Sequence, residues 1–475
     1  MELGLKQALA TFQFASKNVP AYRQILSRSN IAANGITDEE HFKLLPILDK
    51  KNYIQAFPSS KLLPYQALPP IAYASSGSSG KPSFWFRNNL QETAATMAHE
   101  AIVRDTFHIK KKDPTLVIIC FSMGVWVAGN SEAAAFSGLC KLGYALTVVT
   151  PGIEKQDIFH VLKNLSPNYK YVILAGYPPF ISGILHDCKE TGIKVGKNFR
   201  ILTSGDTFSE HWRDTVMELT GIASPQYILS VYGCADASMI GCETPLSIFI
   251  RRQARDNRAL SQSVFGSGAT EPAFVQYNPN YIYFEQLLNE LVLTVNAGIP
   301  LVRYNLHDLG HVLNYPAAVE ALRNFKLYDK AKKTNLIDWR MPFLVKKGRS
   351  DVAVTFYALN LFPENFKTGL EDMRMKKLFT GSFVAYNSEA KNHKTHNLHL
   401  ALELKPNYRP SKQILEISKN IITENLLKTN IEYHKLFNTI GAKALPIIHL
   451  KKFGSVTVPK TGLFYVHGKK PRLIN

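Results

Sequence analysis

Cysteine is scarce in this sequence. Cys120, Cys140, Cys188, Cys234 and Cys242 are the five in 475 residues. The number is odd, the spacing is wide and there is no Cys-x-x-Cys pair. That argues against a disulfide framework and a structural zinc site, and a cytoplasmic, reducing location fits best. Long hydrophobic runs are also missing. The longest, Leu116 to Ala128, is too short to cross a bilayer and reads as a buried strand with its turn. Met1 to Val19 is polar and amphipathic, without the apolar core of a secretion signal. Acidic residues are in deficit, 37 Asp and Glu against 56 Lys and Arg, which leaves a net charge of +19. A field of that sign attracts anions: nucleotides, CoA-like phosphates, nucleic acid or acidic membranes. The basic residues are dispersed, with no run of five and no basic-aromatic motif, so no dedicated nucleic-acid module is expected. A Gly-x-Ser-x-Gly elbow is absent, so the nucleophile motif of a serine hydrolase is lacking.

What is present is the balance of a globular protein, 45% apolar and 20% charged residues, at a length that suggests two or more domains. From about 90 to 245, apolar runs of strand length alternate with helical stretches. Leu116 to Cys120, Leu146 to Thr150, Tyr171 to Leu174 and Phe199 to Thr203 read as buried strands. Glu132 to Leu142 and Lys155 to Leu165 read as helices between them. Such alternation predicts a largely parallel sheet with helices on its faces. Residues 281–304, with Glu290 to Val295 and Leu301 to Tyr304, read as a more antiparallel β-subdomain. Val345 to Asp351 is a polar, glycine-containing break. Beyond it His399 to Leu404 alternates like a strand and Ser411 to Lys428 reads as a helix. The expected fold class is α/β. A large N-terminal domain, 1–347, has mostly parallel sheets flanked by helices plus the β-subdomain, and a small α+β C-terminal domain spans 348–475.

The strongest local feature is Ser75-Ser76-Gly77-Ser78-Ser79-Gly80-Lys81-Pro82. Glycines let backbone N–H groups converge on an anion, the serine hydroxyls add donors, and Lys81 adds a positive charge. The spacing is not that of the P-loop of nucleotide hydrolases. A flexible Ser/Gly linker has the same composition, but apolar residues flank this segment on both sides. His393, His396 and His399 recur every three residues and would share a face on a helix. Their polar surroundings read instead as a loop entering a strand, which scatters them. Met123, Trp126, Phe136 and Tyr232 are candidates for the walls of an acyl pocket, their aromatic rings suiting a flat, apolar acid.

The loop resembles the signature of the adenylate-forming superfamily of acyl-CoA synthetases, luciferases and peptide-synthetase adenylation domains. Asn18 to Arg23 and Leu45 to Lys50 resemble the "VPFYR" and "LPILTK" motifs of its phenylacetate–CoA ligase branch. Later motifs follow in the branch's order along nearly the whole chain. Thr203 to Glu210 is similar to "GAEPWSE", which borders adenine in the family, so backbone groups of Ser204, Gly205 and Asp206 are implied contacts. Val231 to Asp236 is similar to "YGxTE". This implies Tyr232 and Gly233 beside adenine and Asp236 as a Mg²⁺ ligand, a hard carboxylate oxygen being suited to that ion. Pro300 to Leu309 is similar to "PLIRYRTGDL", whose aspartate grips both ribose hydroxyls, and Asp308 fills that position. Gly348 to Asp351 is similar to the hinge motif "GRSDD". This implies a mobile C-terminal domain turning at Asp351, with Arg349 reaching phosphate or ribose. Near the C-terminus, Gly468-Lys469 resembles the segment that carries the adenylation lysine, with Lys470 as the neighbouring substitute.

The resemblance implies an enzyme that binds ATP, Mg²⁺ and a small carboxylic acid, forms an acyl-adenylate with release of pyrophosphate, and passes the acyl group to the thiol of CoA. Several positions depart from the family pattern. Ala235 replaces a hydroxyl residue, Asp236 a glutamate, Asn305 an arginine and His307 a glycine. Tyr357-Ala358 stands where the family has an Arg-Gly pair beside the path of the pantetheine arm. Two alternatives follow from these changes: an adenylate-forming ligase with an amine or hydroxyl acceptor, or a non-catalytic nucleotide-binding protein.

Overall fold

In the computed structural model, residues 2–64, 68–74, 84–266, 271–333, 336, 339–349, 354–356, 359–361, 363–389, 396–456, 462–465 and 472–474 are described. The chain forms two compact units. One comprises residues 1–253 with 273–346, the other 254–272 with 347–475. The second unit thus takes in a stretch, 254–272, that precedes the polar break by about eighty residues.

In the first unit, β1 (Ile71–Ala74) and β2 (Phe84–Arg87) form an antiparallel pair. The main sheet contains β3 (Thr115–Cys120), β4 (Leu146–Val149), β5 (Tyr171–Gly176), β6 (Phe199–Ser204), β7 (Ile228–Cys234), β8 (Ser238–Cys242), β9 (Ala273–Gln276), β10 (Ile282–Leu287), β11 (Glu290–Val295), β12 (Leu301–Leu313) and β13 (Phe343–Arg349). Their order is β10-β11-β12-β13-β9-β8-β7-β6-β5-β3-β4. Pairing is parallel from β4 through β3, β5 and β6 to β7. It is antiparallel at β7–β8, β8–β9, β9–β13, β10–β11 and β11–β12. The expected β-subdomain is therefore a continuation of the same sheet.

Local chemistry accounts for these elements. All six residues of β3, Thr-Leu-Val-Ile-Ile-Cys, are buried, as expected of a strand covered by helices on both faces. Asn88 opens the helix Asn89–Ala101 with a reciprocal capping box to Gln91. Ser209 caps the helix Glu210–Thr220, and left-handed Gly221 ends it. The helix Val127–Lys141 begins five residues before the predicted Glu132, because Trp126 provides no side-chain cap to mark its start. Near the N-terminus, Phe12, Tyr22, Leu48 and Tyr53 are buried in one core with Leu291, Leu301 and Tyr304.

In the second unit, β14 (Val354–Phe356) pairs with β15 (Leu359–Leu361). A five-stranded sheet has the order β18-β17-β16-β19-β20, made of β16 (Phe379–Glu389), β17 (His396–Leu404), β18 (Ile447–Lys451), β19 (Gly462–Tyr465) and β20 (Arg472–Ile474). Phe366, Phe383, Leu400 and Leu402 pack with Ile422 and Leu426 of the helix Lys412–Thr429 in its core. Among the described residues, no helix is long and apolar enough to cross a membrane.

Candidate active site

Several of the sequence-predicted site residues follow the carboxyl ends of adjacent parallel strands, the usual place for a ligand in an open α/β sheet. Ser204 ends β6, and Gly205 and Asp206 follow it. Gly205 has φ +89°, and a Cβ there would meet the Tyr177 ring at 3.4 Å. That is ordinary van der Waals contact, so it is the left-handed φ rather than the space that favours glycine here. The Tyr177 hydroxyl donates to Asp206 Oδ2 at 2.9 Å, and the Thr207 N–H donates to Asp206 Oδ1 at 2.9 Å. The carboxylate thus fixes the turn that presents the Ser204 to Asp206 backbone.

On neighbouring β7, the buried Tyr232 hydroxyl donates to Asp308 Oδ2. Asp308, on β12, is only 4% exposed. Its Oδ1 accepts no hydrogen bond and lies 3.7 Å from Lys346 Nζ. A buried carboxylate oxygen without a hydrogen-bond partner is costly unless a ligand completes it. Asp236 lies beyond the end of β7, and its Oδ1 accepts from Tyr304 at 2.8 Å. Burial, and then the Asp236 carboxylate, push the Tyr304 phenol well above its usual pKa, so it stays a neutral donor.

The turn before Asp308 shows how the glycine position is filled. His307 has φ +58°, in the left-handed region that favours glycine. Its N–H donates to Asn305 Oδ1 at 2.7 Å, and its ring nitrogens lie 3.6 Å from Asp49 and 3.6 Å from Glu290. Asn305 Nδ2 donates to Glu290 Oε2 at 2.5 Å. The departures at 305 and 307 therefore hold the conformation together. Leu48 N–H donates to the Arg303 carbonyl at 3.0 Å, and Asn305 N–H to the Leu48 carbonyl at 2.7 Å. The Leu45 to Lys50 motif thus lies directly against the Arg303 to Asp308 motif.

Other residues here carried no sequence signal. Arg87, on β2, is fully buried, and its Nη2 donates to the Ala235 carbonyl at 2.7 Å. Its Nε and Nη1 have no hydrogen-bond partner. Elsewhere in this unit Glu243 Oε1 accepts from Arg213 at 2.8 Å and Arg251 at 2.6 Å, and its Oε2 from the Ser230 N–H at 2.8 Å. Arg213 also holds Glu210 at 2.9 Å, and Arg251 donates to the Phe208 carbonyl at 2.7 Å. This buried network joins the Thr203 to Glu210 segment to β7.

Some predicted site residues lie outside the described residues: Ser75 to Pro82, Asp351, Tyr357-Ala358, Lys469 and Lys470. Arg349 ends β13. His393 is also outside, while His399 shares short contacts with Ser388 at 2.7 Å and His449 at 3.0 Å. Among the described residues, no group of three or more His, Cys, Asp or Glu side chains could hold a metal ion. Phe136 is buried against His99 in the core.

Neither protein-family models nor curated proteins match this chain. Solved structures do. A 2-hydroxyisobutyryl-CoA ligase in its postadenylation state, in complex with R3-HIB-AMP, matches with a TM-score of 0.65 and 13% identity. The match covers 96% of this chain and 86% of that one. This chain has the fold of the adenylate-forming ligases. Two more structures with this fold carry other acyl groups. McyG A-PCP complexed with phenylalanyl-adenylate has a TM-score of 0.51 and 10% identity, over 93% of this chain and 71% of that one. The anthranilate CoA ligase AuaEII in complex with anthranoyl-AMP has a TM-score of 0.51 and 10% identity, over 83% and 65%.

Proposed function

We propose that the chain is an adenylate-forming ligase, which activates a carboxylic acid with ATP and then transfers the acyl group. The observation that carries this reading is the buried Asp308, oriented by Tyr232 and with one oxygen left open, in a fold shared with ligases solved with acyl-adenylates. A carboxylate in that state suits paired ribose hydroxyls, which donate to it. The Tyr232 ring and the Ser204 to Asp206 backbone would border the adenine. Ser75 to Lys81 would hold the β- and γ-phosphates.

Mg²⁺ fits Asp236 in one respect: Tyr304 takes Oδ1, leaving Oδ2 to a cation that keeps most of its waters. When bound, it would neutralise phosphate charge. The acid's carboxylate oxygen attacks the α-phosphorus, the bond to the β-phosphate oxygen breaks, and pyrophosphate leaves. Lys469 would stabilise the charge that develops at this step, and Arg349 would hold phosphate or ribose. Rotation at Asp351 would then present the acceptor. The order of the motifs supports the phenylacetate–CoA ligase-like branch and the CoA thiol as acceptor. Ala358, in place of a glycine, favours testing amine and hydroxyl acceptors beside it. Replacing Lys469 with Ala is expected to abolish pyrophosphate release while ATP binding, measured by calorimetry, is retained. Full activity in Lys469→Ala would remove its assigned role.

A further inference from the structure

A cavity of about 410 Å³ lies between the helix Asn89–Ala101 and β8, within the roughly 300–1,000 Å³ range of small-molecule sites. Its wall begins at Ala237, the residue after Asp236, includes Gly241, and crosses to Ala94 and Ala98 on the helix. The small side chains leave the space. Met97 and Ile240 make much of the remaining wall apolar. None of Met123, Trp126, Phe136 and Tyr232 is among its lining residues. The charged residues in the wall are Arg104 and Asp105, and they satisfy one another at 2.7 Å. Two lining residues hold polar atoms without hydrogen bonds, Gln91 Nε2 and Ser238 Oγ, but both atoms are buried beneath the wall and do not open onto the cavity. They are 6% and 8% exposed. Gln91 Oε1, by contrast, accepts from the Gly298 N–H at 2.8 Å.

We propose that this cavity receives the tail of the acid activated beside Asp236, and that it selects a neutral, mainly apolar tail. The inference rests on the adenylate-forming reading. A second carboxylate or an ammonium group would lose its water here without a free counter-charge, at high cost.

The test uses acids of one length that differ only at the far end: hexanoate, 6-hydroxyhexanoate, adipate and 6-aminohexanoate. Acid-dependent pyrophosphate release is expected with the first two. Adipate and 6-aminohexanoate are expected to fall behind by roughly 100-fold or more in kcat/KM. Ala98→Trp, which fills the cavity, is expected to raise the KM for hexanoate roughly tenfold or more and leave the KM for ATP unchanged. Equal use of adipate and hexanoate overturns the proposal, as does an unchanged acid KM in active Ala98→Trp. Calorimetric binding of hexanoate to wild type and to the milder Ala94→Leu variant needs no turnover. Binding lost in the variant upholds the cavity, and binding absent from wild type or unaffected by the substitution overturns it. Failure of the adenylation reading shows separately, as the absence of pyrophosphate exchange with every acid while ATP still binds.

Discussion

Two buried polar regions of the first unit are built to opposite rules. In one, buried Arg213 donates to both Glu210 and Glu243, and Glu243 also accepts from Arg251 and a backbone N–H, so each charge faces an opposite charge even though Arg251 Nε makes no hydrogen bond. In the other, around Tyr232, Ala235 and Asp308, charges are just as deeply buried but incompletely met. Arg87 has two N–H positions without hydrogen bonds, and Asp308 has one such oxygen. Burying a charge is costly in both places. The ion-paired cluster recovers most of that cost within the chain and so acts as scaffold. The open region leaves part of it for a ligand to recover, which marks it as the binding region.

The largest expected effect lies in the ion-paired cluster. Glu243→Ala leaves Arg213 and Arg251 buried without their shared carboxylate, and a loss of about 3–5 kcal/mol is expected in urea unfolding. A loss under about 1 kcal/mol would mean that the cluster is not the scaffold described. Asp308→Asn, in the open region, should behave differently. Stability should change little, because Tyr232 can still donate to the amide oxygen. The Kd for ATP should rise roughly tenfold, the effect of losing hydrogen bonds to a charged acceptor. Arg87→Met sharpens the contrast between two buried arginines. Removing an incompletely paired charge should leave unfolding within about 1 kcal/mol of wild type or make the protein more stable, whereas Arg213→Met should cost about 3–5 kcal/mol.

The smallest effects are those of pH, and they run in opposite directions. Burial alone would raise the Glu210 carboxyl, but Arg213 and Arg251 outweigh it and hold its pKa down to about 2. The stability it contributes is present above 4.5 and lost as pH falls towards 2. Burial works against a charged His99, but Glu132 at 2.8 Å and the Ala95 carbonyl at 2.7 Å raise its pKa above 6.5. That contribution is present below 6.5 and lost as pH rises through the folded value. Unfolding measured across pH should show both flanks, and His99→Gln should remove the alkaline one alone. A retained alkaline flank in that variant would assign it to another group.

Much of this was legible in the sequence. Strands such as β3 and β5 announce themselves as apolar runs, and the motifs carrying Tyr232, Asp236 and Asp308 appear in order. What could not be read is contact between distant segments. Leu45 to Lys50 and Arg303 to Asp308 were separate motifs about 250 residues apart, and only folding pairs Leu48 with Tyr304. Arg87 and Glu243 are single charged residues with no periodic or spacing signal, so their burial came only from the structure. His307 looked like a departure from a glycine turn. The left-handed conformation survives because Asn305 bonds its N–H and two carboxylates flank its ring.

Whether the open region holds a nucleotide so that a carboxylic acid can be adenylated is tested most directly by exchange of labelled pyrophosphate into ATP. Exchange is expected to require an added acid and to fall sharply in Asp308→Asn. ATP binding to the wild-type chain without exchange for any acid would contradict it.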